Sequence, residues 1–337
     1  MNTQKSGVGV GVIGAGIMGA DHAAILSRHV TGAHLAALCD ADSERANRVA
    51  AECHAGKIYK DPAELIGEPE VQAVVIASPD HTHADLVLAC LEADKPVLCE
   101  KPLASNPGEC QHVVRAEMKH GRRMIQVGYM RRFDPTYQDM KRAMMRKGMG
   151  RPLVLHCIHR NPAAPGTTSD SVLASGAVHE IDIARWLLGG EIVHAQTWSP
   201  IPGGEDAVRD PQLVLLRSNT GALITIEMFE NAGYGYEVRA EAVCEKGTVS
   251  LEAPADVRVR YAGSDSSEYP SDWRPRFALS YRNQLQAWVD GIVHGTSCGA
   301  DAWDGYLATT IAHACIRSLK TGQGVEIKAE TRPEFYR

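Results

Sequence analysis

No two cysteines in the chain have C-x-x-C spacing. Nine are scattered over 337 residues, at 39, 53, 90, 99, 110, 157, 244, 298 and 315. An odd, unpaired set in a long chain fits reduced thiols in a cytoplasmic protein rather than a disulfide framework. No apolar run approaches the roughly 18 residues of a membrane span. The N-terminal M-N-T-Q-K-S-G is short and polar and runs directly into a strand, unlike a secretory signal. A basic excess is also missing. The net charge is −6, so nothing draws the whole chain to nucleic acid or an anionic membrane. The one local basic stretch, Arg131 to Lys147, reads as a solvated helix face. Internal repeats and low-complexity linkers are absent. What is present is ordinary globular composition, 44% hydrophobic and 23% charged, in a length that suits about two domains.

The first third has the order of a nucleotide-binding unit. V-G-V-G-V-I at residues 8–13 is a short apolar run suited to a buried parallel strand. It leads into G-A-G-I-M-G at 14–19, then a helical pattern through Ala20, Ala23, Ala24, Ile25 and Leu26. A second strand at 34–39 ends at Asp40. Gly14 makes the tight turn, Gly16 lets the backbone approach a pyrophosphate, and Gly19 lets helix and strand pack closely. The N–H groups at the helix start, around Ile17 and Met18, suit a phosphate. Asp40 is placed to bind both hydroxyls of an adenosine ribose and to repel a 2′-phosphate, so NAD is favoured over NADP; Arg45 keeps some NADP binding open. Asp42 or Ser43 can cap the following helix, which leaves Asp40 for the ribose.

Further strands are expected at 71–77 and 95–100. Ligands in such sheets bind beyond the carboxyl ends of the strands. Ser78, Asp80 and His81 in S-P-D-H-T-H fall at the first of these ends, where they suit the ribose or nicotinamide. His81 and His83 resemble a metal pair, but no carboxylate or cysteine set joins them. Glu100, Lys101 and Pro102 fall at the second end. A lysine beside a nicotinamide can stabilise a developing alkoxide or shuttle its proton. Burial and the positive ring would both favour its neutral form.

Six stretches occur in order: G-A-G-I-M-G, S-P-D-H-T-H, E-K-P, G-Y-M-R-R-F-D-P from Gly128, H-C-I-H-R-N from His156, and V-H-E-I-D-I-A-R-W from Val178. Together they resemble the Gfo/Idh/MocA oxidoreductases, most closely the inositol 2-dehydrogenases among them. The resemblance implies Lys101 as the catalytic lysine and His179 as the acid/base. It implies that Met130, Arg131, His159, Asn161 and Tyr236 line a cyclitol site, with Glu100 beside the cofactor, and that members pair through an exposed sheet face as homotetramers. The loop from Ser271 containing Trp273 is a further candidate near the substrate. One position departs from the family pattern. Where an aspartate usually precedes this histidine by four residues, this chain has Ser175. A hydroxyl orients an imidazole but carries no charge to stabilise an imidazolium. Asp182 and Asp170 are the alternative partners in sequence. Ser175 marks either a slower inositol dehydrogenase or one with a changed substrate.

The fold class expected is α/β: a Rossmann dinucleotide-binding domain over 1–127, and an α+β domain over 128–337 with a large mixed, mostly antiparallel sheet. Alternating strands are read at 153–159, 192–198, 213–217, 222–229, 237–243, 248–252 and 256–261. Helices are read at 134–147, 177–188, 279–293 and 301–320. The loop at 161–170 borders the expected substrate site. The function expected is NAD-dependent oxidation of a cyclitol, with no metal, nucleic acid or membrane involved. An aminocyclitol or pyranose dehydrogenase, or a non-catalytic NAD(H) sensor, are the alternatives.

Overall fold

The computed structural model describes residues 7–162, 166–200, 208–251, 258–328 and 330–337. The chain forms two compact units. The first comprises residues 1–133, 279–309 and 332–337, and the second residues 134–278 and 310–331.

In the first unit, apolar runs and helices alternate. They are β1 (Val8–Ile13), α1 (Ile17–Arg28), β2 (Ala33–Cys39), α2 (Ser43–Cys53), β3 (Lys57–Tyr59), α3 (Pro62–Gly67), β4 (Ala73–Ile76), α4 (His83–Glu92), β5 (Val97–Cys99), α5 (Pro107–His120) and β6 (Ile125–Val127). The strands pair in parallel in the order β3-β2-β1-β4-β5-β6. This is the doubly wound order, with its topological switch between β1 and β4. Strands β1, β4 and β5 are almost wholly buried, which is why they read as continuous apolar runs. Asp42 caps α2, accepting from the N–H groups of Glu44 and Arg45 at 3.1 and 3.0 Å, as its position suggests.

The second unit contains α6 (Pro135–Met144), β7 (Pro152–Arg160), a short turn α7 (Ser169–Ser171), a π-helical turn (Val172–Ala177) and α8 (Val178–Leu188). Then follow β8 (Ile192–Trp198), β9 (Gln212–Ser218), β10 (Leu223–Phe229), β11 (Glu237–Cys244), β12 (Gly247–Leu251) and a hairpin, β13 (Arg258–Tyr261) and β14 (Ser264–Ser267). Helices α9 (Arg274–His294) and α10 (Ala302–Thr321) and the short β15 (Val325–Glu326) complete the chain. The main sheet runs β12-β11-β7-β10-β9-β8-β15, antiparallel except for the β7–β10 pair. Strand parity decides which side chains face the core. Leu155, Cys157 and His159 of β7 point inward, while His156 is exposed and bonds Thr225 on β10.

A single cut after residue 127 does not describe this division, and the reason is packing. Leu285, Trp288 and Val289 of α9 join Val10, Val12, Leu35 and Leu38 in one buried cluster. A helix distant in sequence therefore completes the first unit's core. The C-terminal residues do likewise. The Tyr336 hydroxyl donates to Glu117 at 2.6 Å, and Arg332 pairs with Asp301 and Asp304. All nine cysteines are free thiols, eight of them buried.

Glu117 gives the first unit a pH dependence. Burial pushes its carboxyl up to about 7, against the opposing pull of the Tyr336 hydroxyl and the N–H groups of Ile125 and Met124. The unfolded carboxyl titrates near 4.5. Between these values the folded protein holds a proton that the unfolded chain has released. The group's contribution is thus full below the lower value and lost as pH rises through the upper one, by at most about 3 kcal/mol. Glu117→Gln should flatten the fall in Tm between about pH 5 and pH 8, as thermal melts of both proteins would read. An unchanged slope would remove Glu117 as its source.

Candidate active site

In the first unit the glycine loop is built as its spacing requires. Gly14 has φ +96°, and a Cβ there would stand 2.4 Å from the Ala77 carbonyl oxygen. At Gly19 a Cβ would stand 1.8 Å from the Gly14 carbonyl oxygen. Gly16 differs: nothing lies within 4 Å of its added Cβ. That open side is the space a pyrophosphate needs to approach the backbone, so these residues fit a dinucleotide. Ile17, the first helical residue, is 61% exposed, and Met18 follows it half-buried.

Asp40 does more than the sequence suggests. It accepts from the Ala15 N–H at 2.7 Å and the Asp42 N–H at 2.8 Å, tying the end of β2 to the glycine loop. A carboxylate offers about four acceptor positions, so capacity for ribose hydroxyls remains. Arg45 lies 3.7 Å from Asp40 and 3.2 Å from Asp42.

The loops after β4 and β5 are braced by two buried histidines. His22 on α1 bonds Glu100 at 2.8 Å, and the Lys101 N–H donates to the other Glu100 oxygen at 3.2 Å. Burial pushes the Glu100 carboxyl up. The His22 bond and charge and the neighbouring Lys101 outweigh it, and the net shift is downward. His83 contacts both the Pro102 carbonyl, at 2.7 Å, and the Ser78 carbonyl, at 3.0 Å. His83 is therefore a brace between loops, while His81 is exposed on the 3-10 turn Asp80–Thr82. Ser78 bonds Thr82 at 2.6 Å. The Lys101–Pro102 peptide is cis. Met130 and Arg131, in the turn Met130–Phe133, are both buried in this unit. Among the described residues no three His, Cys, Asp or Glu side chains group as metal ligands.

The second unit brings His159, Asn161, His179 and Tyr236 together. His159, facing inward from β7, bonds Glu180 through Nδ1 at 3.0 Å. The Asn161 amide nitrogen lies 3.1 Å from His159 Nε2 and donates to both oxygens of Glu230 at 3.0 Å. With Asn161 donating to Nε2, Nδ1 carries the proton and donates to Glu180. The His159 ring meets Tyr236 edge-on at 5.7 Å and His179 at 6.4 Å. Phe277 backs Tyr236 at 6.3 Å, whereas Trp273 is only half-buried.

His179 is the second residue of α8, entered from the π-helical turn that holds Ser175, and nine of the eleven α8 residues are buried. Asp182 is buried on this helix; Asp170 is ion-paired with Lys320. His156 and His159 lie on opposite faces of β7. Of the expected loop at 161–170, residues 163–165 lie outside the described residues.

Sequence reading missed His22, Glu180 and Glu230. Each is a polar residue buried by a partner far along the chain. The available signal was a charged or polar residue inside an otherwise apolar pattern, such as His22 among the alanines of α1.

Comparison with known proteins agrees with this geometry. Residues 8–129 match a family model described as the oxidoreductase family, NAD-binding Rossmann fold, and residues 137–250 match the GFO/IDH/MocA C-terminal domain. Inositol 2-dehydrogenase 1 of Saccharopolyspora erythraea is 48% identical over 98% of this chain and 99% of its own. The inositol 2-dehydrogenase of Mycolicibacterium smegmatis is 41% identical over 96% and 97%. The crystal structure of myo-inositol dehydrogenase from Lactobacillus casei, in complex with NAD(H) and myo-inositol, superposes with a TM-score of 0.94. It is 32% identical and covers 98% of this chain and 100% of its own. A glycine cradle open at Gly16, a braced E-K-P lysine and a buried histidine–asparagine–tyrosine cluster thus occur in a chain alike from end to end to these proteins, and the chain belongs to the Gfo/Idh/MocA family of NAD-dependent oxidoreductases.

Proposed function

We propose that this protein oxidises a secondary alcohol of a cyclitol, with myo-inositol as a substrate, to the corresponding ketone. The observation that carries the reading is the buried polar cluster of the second unit. A polyol presents many hydroxyls, and each one buried without a partner is costly. Polar groups of Asn161, Tyr236 and His179 meet that need, and His159, bonded at both ring nitrogens, holds Asn161 in place. Relatives named for inositol oxidation over nearly the whole chain support it. They do not favour a pyranose, an aminocyclitol or a sensor role.

Bound NAD supplies the hydride acceptor. His179 takes the hydroxyl proton as general base, and the Lys101 ammonium stabilises the alkoxide as it forms. Ser175 orients the His179 ring. The resemblance also assigns Met130 and Arg131 to the substrate. Ser78, Asp80, His81 and Glu100 contact the cofactor's ribose and nicotinamide side, with Asp40 on the adenosine ribose and Gly14 to Gly19 on the phosphates. NADH formation over a panel of inositols, inosamines and pyranoses tests this. Turnover of myo-inositol is expected, with His179→Ala slower by about 10²-fold or more. Turnover of a pyranose alone, or of nothing, would overturn it.

The working form is a homotetramer. Trp198, Leu213 and Leu223 are exposed on the outward face of the second sheet, with Trp198 directly opposite Leu213. Exposed apolar side chains on one sheet face support pairing with another copy. Light scattering of the purified protein checks the mass; a monomer would refute it.

A further inference from the structure

Ser175 leaves His179 without the carboxylate that its position would supply, yet the cluster does hold a carboxylate beside that turn. Gly176 follows Ser175 directly. A Cβ on it would stand 3.2 Å from a Glu230 carboxylate oxygen and 2.9 Å from the Met228 methyl carbon. Glu230 is therefore packed against the backbone of the π-helical turn. It lies just beyond β10 and is 9% exposed. Its carboxylate accepts from Asn161, whose amide also reaches His159, whose ring in turn meets His179. Its own N–H is held by the Asp210 carboxylate at 3.0 Å. Gly176 is three residues before His179.

We propose that Glu230 supplies, from the sheet, the negative charge that position 175 lacks on the helix, and so acts as a positioning residue for His179. The proposal rests on the cyclitol-oxidation reading for its catalytic consequence. When His179 takes the hydroxyl proton, the ring becomes a cation in a buried setting. A carboxylate nearby favours that cation, as one at 175 would. Asn161 carries the second part of the role. Held by both Glu230 oxygens, it is fixed in one amide orientation, and through it His159 is fixed as well. Two other carboxylates near this turn are already committed. Glu180 bonds His159 from the opposite ring nitrogen, and Asp170 is ion-paired with Lys320. The ionisable groups that this unit brings to the cluster are His159 on β7, His179, Glu180 and Asp182 on α8, Glu230 with Asp210 behind it, and Tyr236 beyond β10.

The experiment is a mutant cycle in the full-length protein: wild type, Glu230→Gln, Ser175→Asp, and the two combined. Two readouts are taken. One is kcat and KM for myo-inositol against pH at saturating NAD. The other is the titration of His179, followed in the spectrum of histidine-labelled protein with His179→Ala identifying the signal. Glu230→Gln should lower kcat by about tenfold or more. It should also move the His179 midpoint and the acid limb of the rate profile to lower pH. Adding Ser175→Asp to Glu230→Gln should restore both, to within about threefold in kcat, while Ser175→Asp alone gives no such gain. Glu230→Gln having the same effect whether 175 is Ser or Asp, or leaving the His179 titration unmoved, would overturn the proposal. The titration decides the point even if wild type turns over no cyclitol, which would count against the substrate reading instead.

Discussion

Replacing Lys101 with methionine should lower kcat for myo-inositol by about 10³-fold or more, with NADH affinity held within about threefold. The size of the effect follows from the loss of a fixed charge at a developing alkoxide, worth roughly 10²–10³-fold, with any share the lysine takes in relaying the proton from His179 adding to it. The change should be clean because the backbone at this position is held independently of the side chain. Glu100 accepts the Lys101 N–H and is itself fixed by His22, and His83 grips the Pro102 carbonyl. Methionine keeps the length and apolar stem of lysine but has no charge. Rapid assays of NADH formation, with a fluorescence titration of NADH, separate chemistry from binding. A kcat within tenfold of wild type would remove Lys101 from the chemistry. Lys101→Arg sharpens the test. Arginine keeps the charge but does not release a proton near neutrality. Partial recovery with arginine would assign the lysine to charge stabilisation, and none would assign it to proton transfer.

How much of this was legible in the sequence depended on how local each feature is. The glycine loop, the E-K-P turn and the alternation of strands and helices are written in consecutive residues, and they stand where the pattern puts them. The inward face of β7 could be read from parity alone, which separates His159 from His156. Strands β3 and β6, of three residues each, went unread. The braces were invisible for another reason. His22 meets Glu100 across 78 residues and Asn161 meets Glu230 across 69, and only the folded sheets create those pairs. The same holds for α9. Its apolar face shows a buried helix, but nothing in its spacing says that Leu285 and Trp288 complete the core around β1 and β2. The question raised by Ser175 had no answer in the neighbouring sequence, where Asp170 and Asp182 were the visible carboxylates. The carboxylate against that turn comes from the end of β10, 55 residues further along the chain from Ser175.

The glycine loop yields the second large effect, and it should divide into two kinds. Gly19→Val places branched carbon where even a Cβ would stand 1.8 Å from the Gly14 carbonyl oxygen and 3.6 Å from the Ala77 methyl. The neighbour that must move is backbone, in the turn between β1 and α1. Helix α1 must then lift from the sheet, and with it His22 leaves Glu100. The expected result is a fall in Tm of about 10 °C or more and NADH affinity reduced by at least about 10²-fold, since overpacking and loss of buried contacts together reach several kcal/mol. Gly16→Ala should behave differently. Its Cβ meets nothing within 4 Å, and the residue is the extended N-cap of α1 with φ −67°, open to any side chain. Folding should therefore be unchanged, with Tm within about 2 °C. The methyl group nonetheless occupies the space through which a pyrophosphate reaches the backbone N–H groups, so NADH affinity should drop by about tenfold or more. Thermal melts and fluorescence titrations on both variants measure the two axes separately. If Gly16→Ala binds NADH as tightly as wild type, the dinucleotide does not lie against the open side of this loop. If it unfolds the protein instead, the openness at Gly16 is structural rather than kept for a ligand.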